Sequence, residues 1–170
     1  MIAAVNGICA GSGLQHVADA DIAIAASSAF FVDNHVSVGQ VAALEPIALM
    51  STMPRGAVLR MALVGTHERL SAQEAFRLGF VSEVVDPPDH LEEAAQSLAE
   101  KIARNSPAAL RHTKQAIWGA LETTRSDAMI RGWEHIVRMW RHPDNAEGPR
   151  AFAEKRSPRW APPSESESFG

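Results

Sequence analysis

Short apolar runs separated by polar turns dominate the first forty residues. Three of these runs are bounded by turn-forming or charged residues, which is typical of short buried strands: residues 2–5, 21–26 and 30–32. After Gly13, apolar residues recur at helical spacing and predict a short helix that begins near Ser12. Strand, glycine turn, helix and strand therefore alternate, which indicates an α/β fold.

From Pro46 onward the apolar positions mostly follow the helical period. They predict helices over residues 55–64, 89–105 and 126–141, the last of these being the final helix, and another that begins at Ser106-Pro107. Ser71 and Glu74 have the spacing of a capping box, Gly79 is placed to end that helix, and residues 80–85 predict a strand.

Composition and charge narrow the class of protein. The chain has 170 residues, of which 46% are hydrophobic and 21% charged, as in a folded globular domain. A net charge of -4 does not favour binding to nucleic acid, which is itself negatively charged. No apolar run approaches the roughly 20 residues of a bilayer span, and the N-terminus lacks the basic start of a signal peptide, so we expect no membrane partner and a cytoplasmic location. The single cysteine, Cys9, excludes an intrachain disulfide and a cysteine-cluster metal site.

The glycine-containing segment at residues 7–13 is the first candidate for chemistry. Backbone amides at the start of a helix bind phosphate or stabilise a carbonyl oxygen that becomes an oxyanion. The alternative is a tight turn in which glycine only supplies unusual dihedral angles. A phosphate-binding loop is not supported, since no Lys-Ser or Lys-Thr pair follows the glycines.

The second candidate is Asp33-Asn34-His35, directly after the apolar run at 30–32. A histidine at the end of a strand acts as an acid or base near neutral pH, or is a surface residue with a structural hydrogen bond. The seven histidines show no three- or four-residue spacing, so we expect no metal site. Glu45 stands at a predicted helix start, where a carboxylate also interacts favourably with the helix dipole. Trp133 and Trp140, seven residues apart, indicate a core or subunit contact rather than a cofactor stack.

Four segments in the same order resemble motifs of the enoyl-CoA hydratase/isomerase (crotonase) family: residues 2–7 with 11–13 and 18–21, residues 31–36 with Gly39, residues 68–81, and residues 147–156. The resemblance implies a truncated crotonase-like ββα spiral core over 1–88. A C-terminal helical oligomerisation region over 89–160 and a disordered tail over 161–170 follow. We expect the chain to correspond to the C-terminal half to two-thirds of a typical member. A natural short form, a mis-assigned start codon and a degraded gene product all stay open.

The resemblance also implies roles for individual residues. Ser12, next to Gly11, falls where the family places its second oxyanion amide. Gln15 and His35 fall at the family's two catalytic glutamates, and Glu45 lies where some members carry an extra acid. Gln15 orients a water without accepting its proton, whereas His35 accepts one. The implied acid/base set is therefore non-standard.

Phe152 and Lys155 match positions that contact the coenzyme A nucleotide from a neighbouring subunit, although Lys155 also fits a solvated charge cluster. Coenzyme A enters as part of the substrate, so no separate cofactor is expected. The resemblance implies an acyl-CoA-processing lyase or isomerase of fatty acid metabolism that assembles as a homotrimer or hexamer. The alternatives are a catalytically silent acyl-CoA-binding or assembly protein and a truncated relic.

Overall fold

The computed structural model of the protein describes residues 1–162, so residues 163–170 of the predicted disordered tail lie outside the described residues. The chain divides into two compact units, Met1–Ala99 and Glu100–Gly170. The domain boundary expected at residues 88 and 89 stays a prediction.

The first unit contains two small sheets. One has the strand order β1-β3-β6 with parallel pairing throughout, and the other has the order β2-β4-β5. In the second sheet β2 and β4 are parallel, whereas β4 and β5 are antiparallel. The strands are β1 (Ile2–Val5), β2 (Ile8–Ala10), β3 (Ile22–Ala26), β4 (Phe30–Val32), β5 (Leu70–Ser71) and β6 (Glu83–Val85).

The helices of the first unit are short, and they pack their apolar sides onto these sheets. They are α1 (Gly13–Ala18), α2 (Leu44–Leu49), α3 (Arg55–Val64), α4 (Ala72–Leu78) and α5 (Leu91–Ala103), the last of which continues past Ala99. The largest fully buried apolar side chains of the unit are Phe31, Leu14, Ile24, Leu49 and Val81. Phe31 meets Phe80 edge to face, with ring centroids 4.9 Å apart. A single core therefore joins the strands to α1, α2 and α4.

Most elements predicted from local patterns are confirmed in this unit. The strands at residues 2–5 and 30–32 and the helix at 55–64 have the predicted bounds. Ser71 caps α4 by accepting a hydrogen bond from the Glu74 N–H, and Gly79 ends that helix with a left-handed φ of 86°. The Glu74 carboxylate accepts a hydrogen bond from Arg77, so it does not follow the reciprocal capping-box pattern.

One strand of this unit is not predicted from the sequence, and one predicted strand is shorter than expected. Residues 8–10 form β2, a strand that the local pattern does not predict; its pairing partner, β4, lies twenty-two residues further along the chain. The strand predicted over 80–85 is reduced to Glu83–Val85. Phe80 and Val81 fold back onto α4 through hydrogen bonds from their N–H groups to the Ala75 carbonyl, so they pack in the core instead of pairing.

The second unit is helical in its described part. Its helices are α6 (Pro107–Gly119), α7 (Arg125–Met139) and α8 (Pro143–Ala153). Ser106 caps α6 through the Ala109 N–H, with Pro107 at the first helical position, as predicted. The prediction that the helix near 126–141 is the last is wrong, because α8 follows it. Gly148 and Pro149 interrupt the helical pattern in sequence, yet α8 forms, with Pro143 at its first position and the buried carboxylate of Glu147 within it.

No helix within residues 1–162 combines the length and the apolar character that a membrane span requires.

Candidate active site

The parallel pairing of β2 with β4 positions the candidate site. Ala10 pairs with Val32, and the Gly11 N–H donates to the Val32 carbonyl at 3.2 Å. Because the carboxyl ends of parallel strands lie at the same edge of a sheet, the turn after β2 and the turn after β4 leave that edge side by side. Both segments singled out in the sequence are thereby brought together.

Gly11 adopts a conformation that favours glycine. Its φ is +51°, and a Cβ at this position would lie 2.9 Å from Asn34 Oδ1 and 3.7 Å from His35 Cε1. The missing side chain therefore lets the turn after β2 contact the turn after β4. The His35 ring therefore lies close to the Gly11 turn.

The Ser12 amide follows this glycine. Ser12 is exposed, has a φ of -57°, and precedes α1. No acceptor in residues 1–162 takes its N–H, whereas the amide of Leu14, two residues later, donates to the Gly11 carbonyl. Since α1 has only six residues, its dipole is small, and the directed N–H is the group that matters for binding an oxygen.

His35 is held by one oxygen of Asp33. Asp33 Oδ1 accepts the His35 backbone N–H at 3.0 Å and lies 2.8 Å from ring Nδ1. The first contact forms an Asx turn, which bends the chain directly after β4. Because a carboxylate oxygen can only accept, this second contact places the proton of the neutral ring on Nδ1 and leaves Nε2 with a free lone pair.

The two carboxylates around His35 change its basicity. The hydrogen bond that the His35 ring donates to Asp33 raises the pKa of His35 above its ordinary value. The negative charges of Asp33 and Glu45 act in the same direction. Partial burial of the ring lowers the pKa, but this effect is smaller than that of the hydrogen bond. The His35 side chain is 21% exposed, so substrate and water can reach the ring.

Glu45 lies on the other side of the ring. It is the second residue of α2, only 7% exposed, and its Oε1 lies 3.9 Å from His35 Nε2. That distance is longer than a hydrogen bond, so Nε2 stays available to a third group. Gln15 is half-buried on α1, which packs against α2. The structure thus brings Gly11, His35 and Glu45 into one cluster and places Gln15 on the neighbouring helix.

Phe152 and Lys155 lie in the second unit, at the end of α8. Phe152 is 88% exposed, and Lys155 has a left-handed φ of 52°. The Lys155 N–H donates to the Phe152 carbonyl and the Arg156 N–H to the Ala151 carbonyl, so a tight helix-ending turn presents both side chains to solvent.

A cleft of about 550 Å³ lies elsewhere in the first unit, and none of the predicted site residues lines it. Charged side chains that line it already interact with other residues of the chain. Arg60 donates from two nitrogens to Glu68, and Arg69 stacks over the Phe30 ring at 4.4 Å. In residues 1–162, no three His, Cys, Asp or Glu side chains are grouped so as to hold a metal ion.

Two residues of the site were not assigned a role from the sequence. Asp33 is 1% exposed and fixes the His35 ring, and Asn34 contacts the Gly11 turn. An aspartate two residues before a histidine, at the end of a predicted strand, is the signal for an Asx turn that could have identified Asp33.

The comparisons with known proteins identify the family of the chain. The sequence model of the enoyl-CoA hydratase/isomerase family matches residues 1–163. The chain is 36% identical over 161 residues to enoyl-CoA hydratase domain-containing protein 3, mitochondrial, of Rattus norvegicus, covering 95% of this chain and 53% of that protein. It is 34% identical to (E)-benzylidenesuccinyl-CoA hydratase of Thauera aromatica, covering 93% of this chain and 61% of that protein.

The structural comparison gives the same family. A crystal structure of an enoyl-CoA hydratase/isomerase from Mycobacterium paratuberculosis is 46% identical, with a TM-score of 0.91, over 94% of this chain and 63% of that chain. The fold is accordingly the predicted crotonase-like α/β fold. The chain spans between 53% and 63% of the length of these three proteins. On sequence and structure together, the chain belongs to the enoyl-CoA hydratase/isomerase family.

Proposed function

We propose that this chain binds an acyl-CoA thioester and carries out proton transfer on it, as an enzyme of the hydratase/isomerase type. The observation that carries the proposal is that the turn containing Ser12 and the turn containing His35 leave one strand edge side by side, with the His35 ring close to the Gly11 turn. A directed amide and a base side by side are the two groups that enolate chemistry needs.

In this proposal the Ser12 N–H stabilises the thioester oxygen as it gains negative charge. A backbone amide is already oriented, so it requires no reorganisation when the charge develops. His35 Nε2 moves the proton, Glu45 serves as a second acid or base, and Gln15 orients water or substrate. This acid/base set contains a histidine where the family pattern has a glutamate.

The substrate class follows from the relatives. The name of the Thauera protein describes a hydratase of a CoA thioester, and the name of the rat protein describes a domain of the enoyl-CoA hydratase type. We extend to this chain only the thioester class. Phe152 and Lys155 are the proposed contacts for the coenzyme A nucleotide, since an exposed aromatic ring stacks on a base and a lysine charge pairs with phosphate. The coenzyme arrives with the substrate, without a separate cofactor.

A ligand-dependent thermal melt with a short 2-enoyl-CoA tests binding. At about 100 times its dissociation constant, the ligand adds about 2.7 kcal/mol to the folded state and raises the melting temperature. The His35→Ala variant is expected to keep this shift and lose turnover, whereas His90→Ala, at an exposed histidine outside the site, keeps both. Equal turnover by the wild type and His35→Ala would contradict the role of His35.

A catalytically silent acyl-CoA binder is the second candidate. The observation that favours it is Gln15, whose amide cannot take a proton at a position where the family pattern has a glutamate. A melt that shifts with 2-enoyl-CoA, together with no turnover by the wild type, would support this candidate over the enzyme.

The proposed partner of the second unit is another copy of the chain. No residue of α7 is buried. The apolar stripe of α7, together with the residue that follows the helix, is about half exposed or more: Met129, Ile130, Trp133, Ile136 and Trp140. An apolar surface of this kind marks an interaction site. Sedimentation at micromolar concentration should show a trimer or hexamer, and a stable folded monomer would contradict the assembly.

A further inference from the structure

We propose that Asp33 is a positioning residue that holds the His35 ring with Nδ1 protonated and Nε2 directed to the substrate. The inference rests on the proposed role of His35 as the proton-transfer group. Asp33 itself contacts neither substrate nor reacting atoms in this scheme and acts only through the histidine.

The geometry around Asp33 Oδ1 gives the first argument. The same oxygen accepts both the backbone N–H of His35 and its ring Nδ1, at 3.0 and 2.8 Å. Two bonds from one residue to one oxygen fix the ring relative to its own backbone. Because the carboxylate cannot donate, they also select the tautomer in which Nε2 is unprotonated and able to act as a base.

Burial gives the second argument. Asp33 is 1% exposed, and within residues 1–162 its Oδ2 has no hydrogen-bond partner. An Asx turn needs only one acceptor oxygen, which an asparagine supplies without a buried charge. Burying a carboxylate with one oxygen that accepts no hydrogen bond costs free energy, and this cost is offset when a positive charge forms beside the carboxylate. His35 is the group that gains such a charge.

The surroundings of the ring give the third argument. The titratable groups that face His35 are Asp33, at the end of β4, and Glu45, on α2; the adjoining Gly11 turn carries no charge. When Nε2 takes a proton from the water that adds to 2-enoyl-CoA, the water oxygen forms a bond to C3 and the C2–C3 π electron pair passes into the thioester as an enolate. The imidazolium then lies between two carboxylates, while the Nδ1 proton stays in its bond to Asp33.

The test compares Asp33→Asn with the wild type and with Asp89→Asn, an exposed aspartate in the same unit. Ring ¹⁵N chemical shifts report the tautomer and the pKa of each histidine, and the His35 signals are those missing from His35→Gln. In wild type, neutral His35 is expected to be protonated on Nδ1. In Asp33→Asn its pKa falls and the share protonated on Nε2 grows, whereas Asp89→Asn changes neither.

Kinetics give the second readout. With 2-enoyl-CoA, the rate of the wild type rises as His35 loses its proton. In Asp33→Asn this rise shifts to lower pH, and kcat falls by at least roughly tenfold with KM changed far less. Loss of the Asp33 charge by itself lowers the pKa of His35, so the readouts that exclude a purely structural Asx turn are the tautomer and kcat, which asparagine would leave unchanged by preserving that turn.

The outcomes separate the two proposals. Unchanged tautomer and pKa in Asp33→Asn would overturn the role of Asp33. So would a wild-type His35 protonated mainly on Nε2, a result that needs no variant to fold. If the tautomer and pKa respond as expected but no protein turns over 2-enoyl-CoA, the positioning role stands and the proposed catalytic function fails.

Discussion

Replacing Gly11 with alanine tests the close contact between the turns after β2 and β4. Gly11 is buried and has a φ of +51°, and an added Cβ would lie 2.9 Å from Asn34 Oδ1. The substitution therefore imposes two costs at once. The backbone must hold an L-residue in the left-handed region, and the Asn34 amide must move back by a few tenths of an ångström.

The expected magnitude follows from these two costs. A left-handed conformation costs an L-residue about 1–2 kcal/mol. Overpacking costs about 1–3 kcal/mol, and we take the lower end because Asn34 is a half-buried side chain that can shift. The free energy of unfolding should therefore fall by about 2–3 kcal/mol, which for a chain of this size lowers the melting temperature by about 4–12 °C.

The assay is thermal unfolding followed by circular dichroism, with Gly7→Ala as the matched control. Gly7 directly precedes β2, and a Cβ there would meet no atom within 4 Å. We expect that control to change stability by less than about 0.5 kcal/mol. Equal melting temperatures for the two variants would refute the contact between the turns. Because Asn34 adjoins His35, Gly11→Ala should also reduce turnover of 2-enoyl-CoA.

Three further predictions concern other parts of the chain. The Glu147 carboxylate accepts hydrogen bonds from Arg156, the Arg159 N–H and Arg150, which hold the pKa of Glu147 well below the ordinary range. These bonds therefore stabilise the folded state above the ordinary pKa of about 4.3, and this contribution is lost as the pH falls. Glu147→Gln should therefore melt below wild type at pH 7, with a gap that narrows in acid; the exposed Glu122→Gln is the control, and a gap independent of pH would contradict the network. Burial raises the pKa of Cys9 to about 11, so iodoacetamide should alkylate native protein at pH 8 about two orders of magnitude more slowly than protein in urea; equal rates would contradict this. Ser71→Ala should lower the free energy of unfolding by about 1 kcal/mol, measured by urea titration, because α4 loses its cap; an unchanged value would show that the cap contributes nothing.

Local chemistry explains which elements could be predicted. The caps at Ser71 and Ser106 and the left-handed Gly79 act within three or four residues, so their signals stand in the sequence itself. The strand β2 could not be predicted in this way. It has three residues, only Cys9 among them is buried, and its existence depends on pairing with β4.

The same limit applies to α8 and to the site. In sequence, Gly148 and Pro149 argue against a helix at 143–153, whereas Pro143 at its first position is compatible with one. Glu147 counters them by binding Arg156 and the Arg159 N–H from the segment that follows. In the site, the types of residue were visible in the sequence, whereas the double contact of Asp33 with His35 depends on the turn that follows β4.

The sequence by itself determined the α/β pattern, the helix caps, the charge balance and the family, since these depend on residue types and on neighbours a few positions apart. Only the tertiary structure decided that Gly11 contacts Asn34 and His35, that Glu45 faces the histidine ring, and that α7 leaves its apolar stripe exposed. The physical reason is that strand register and burial depend on residues far apart in the chain. No local pattern encodes which of them meet.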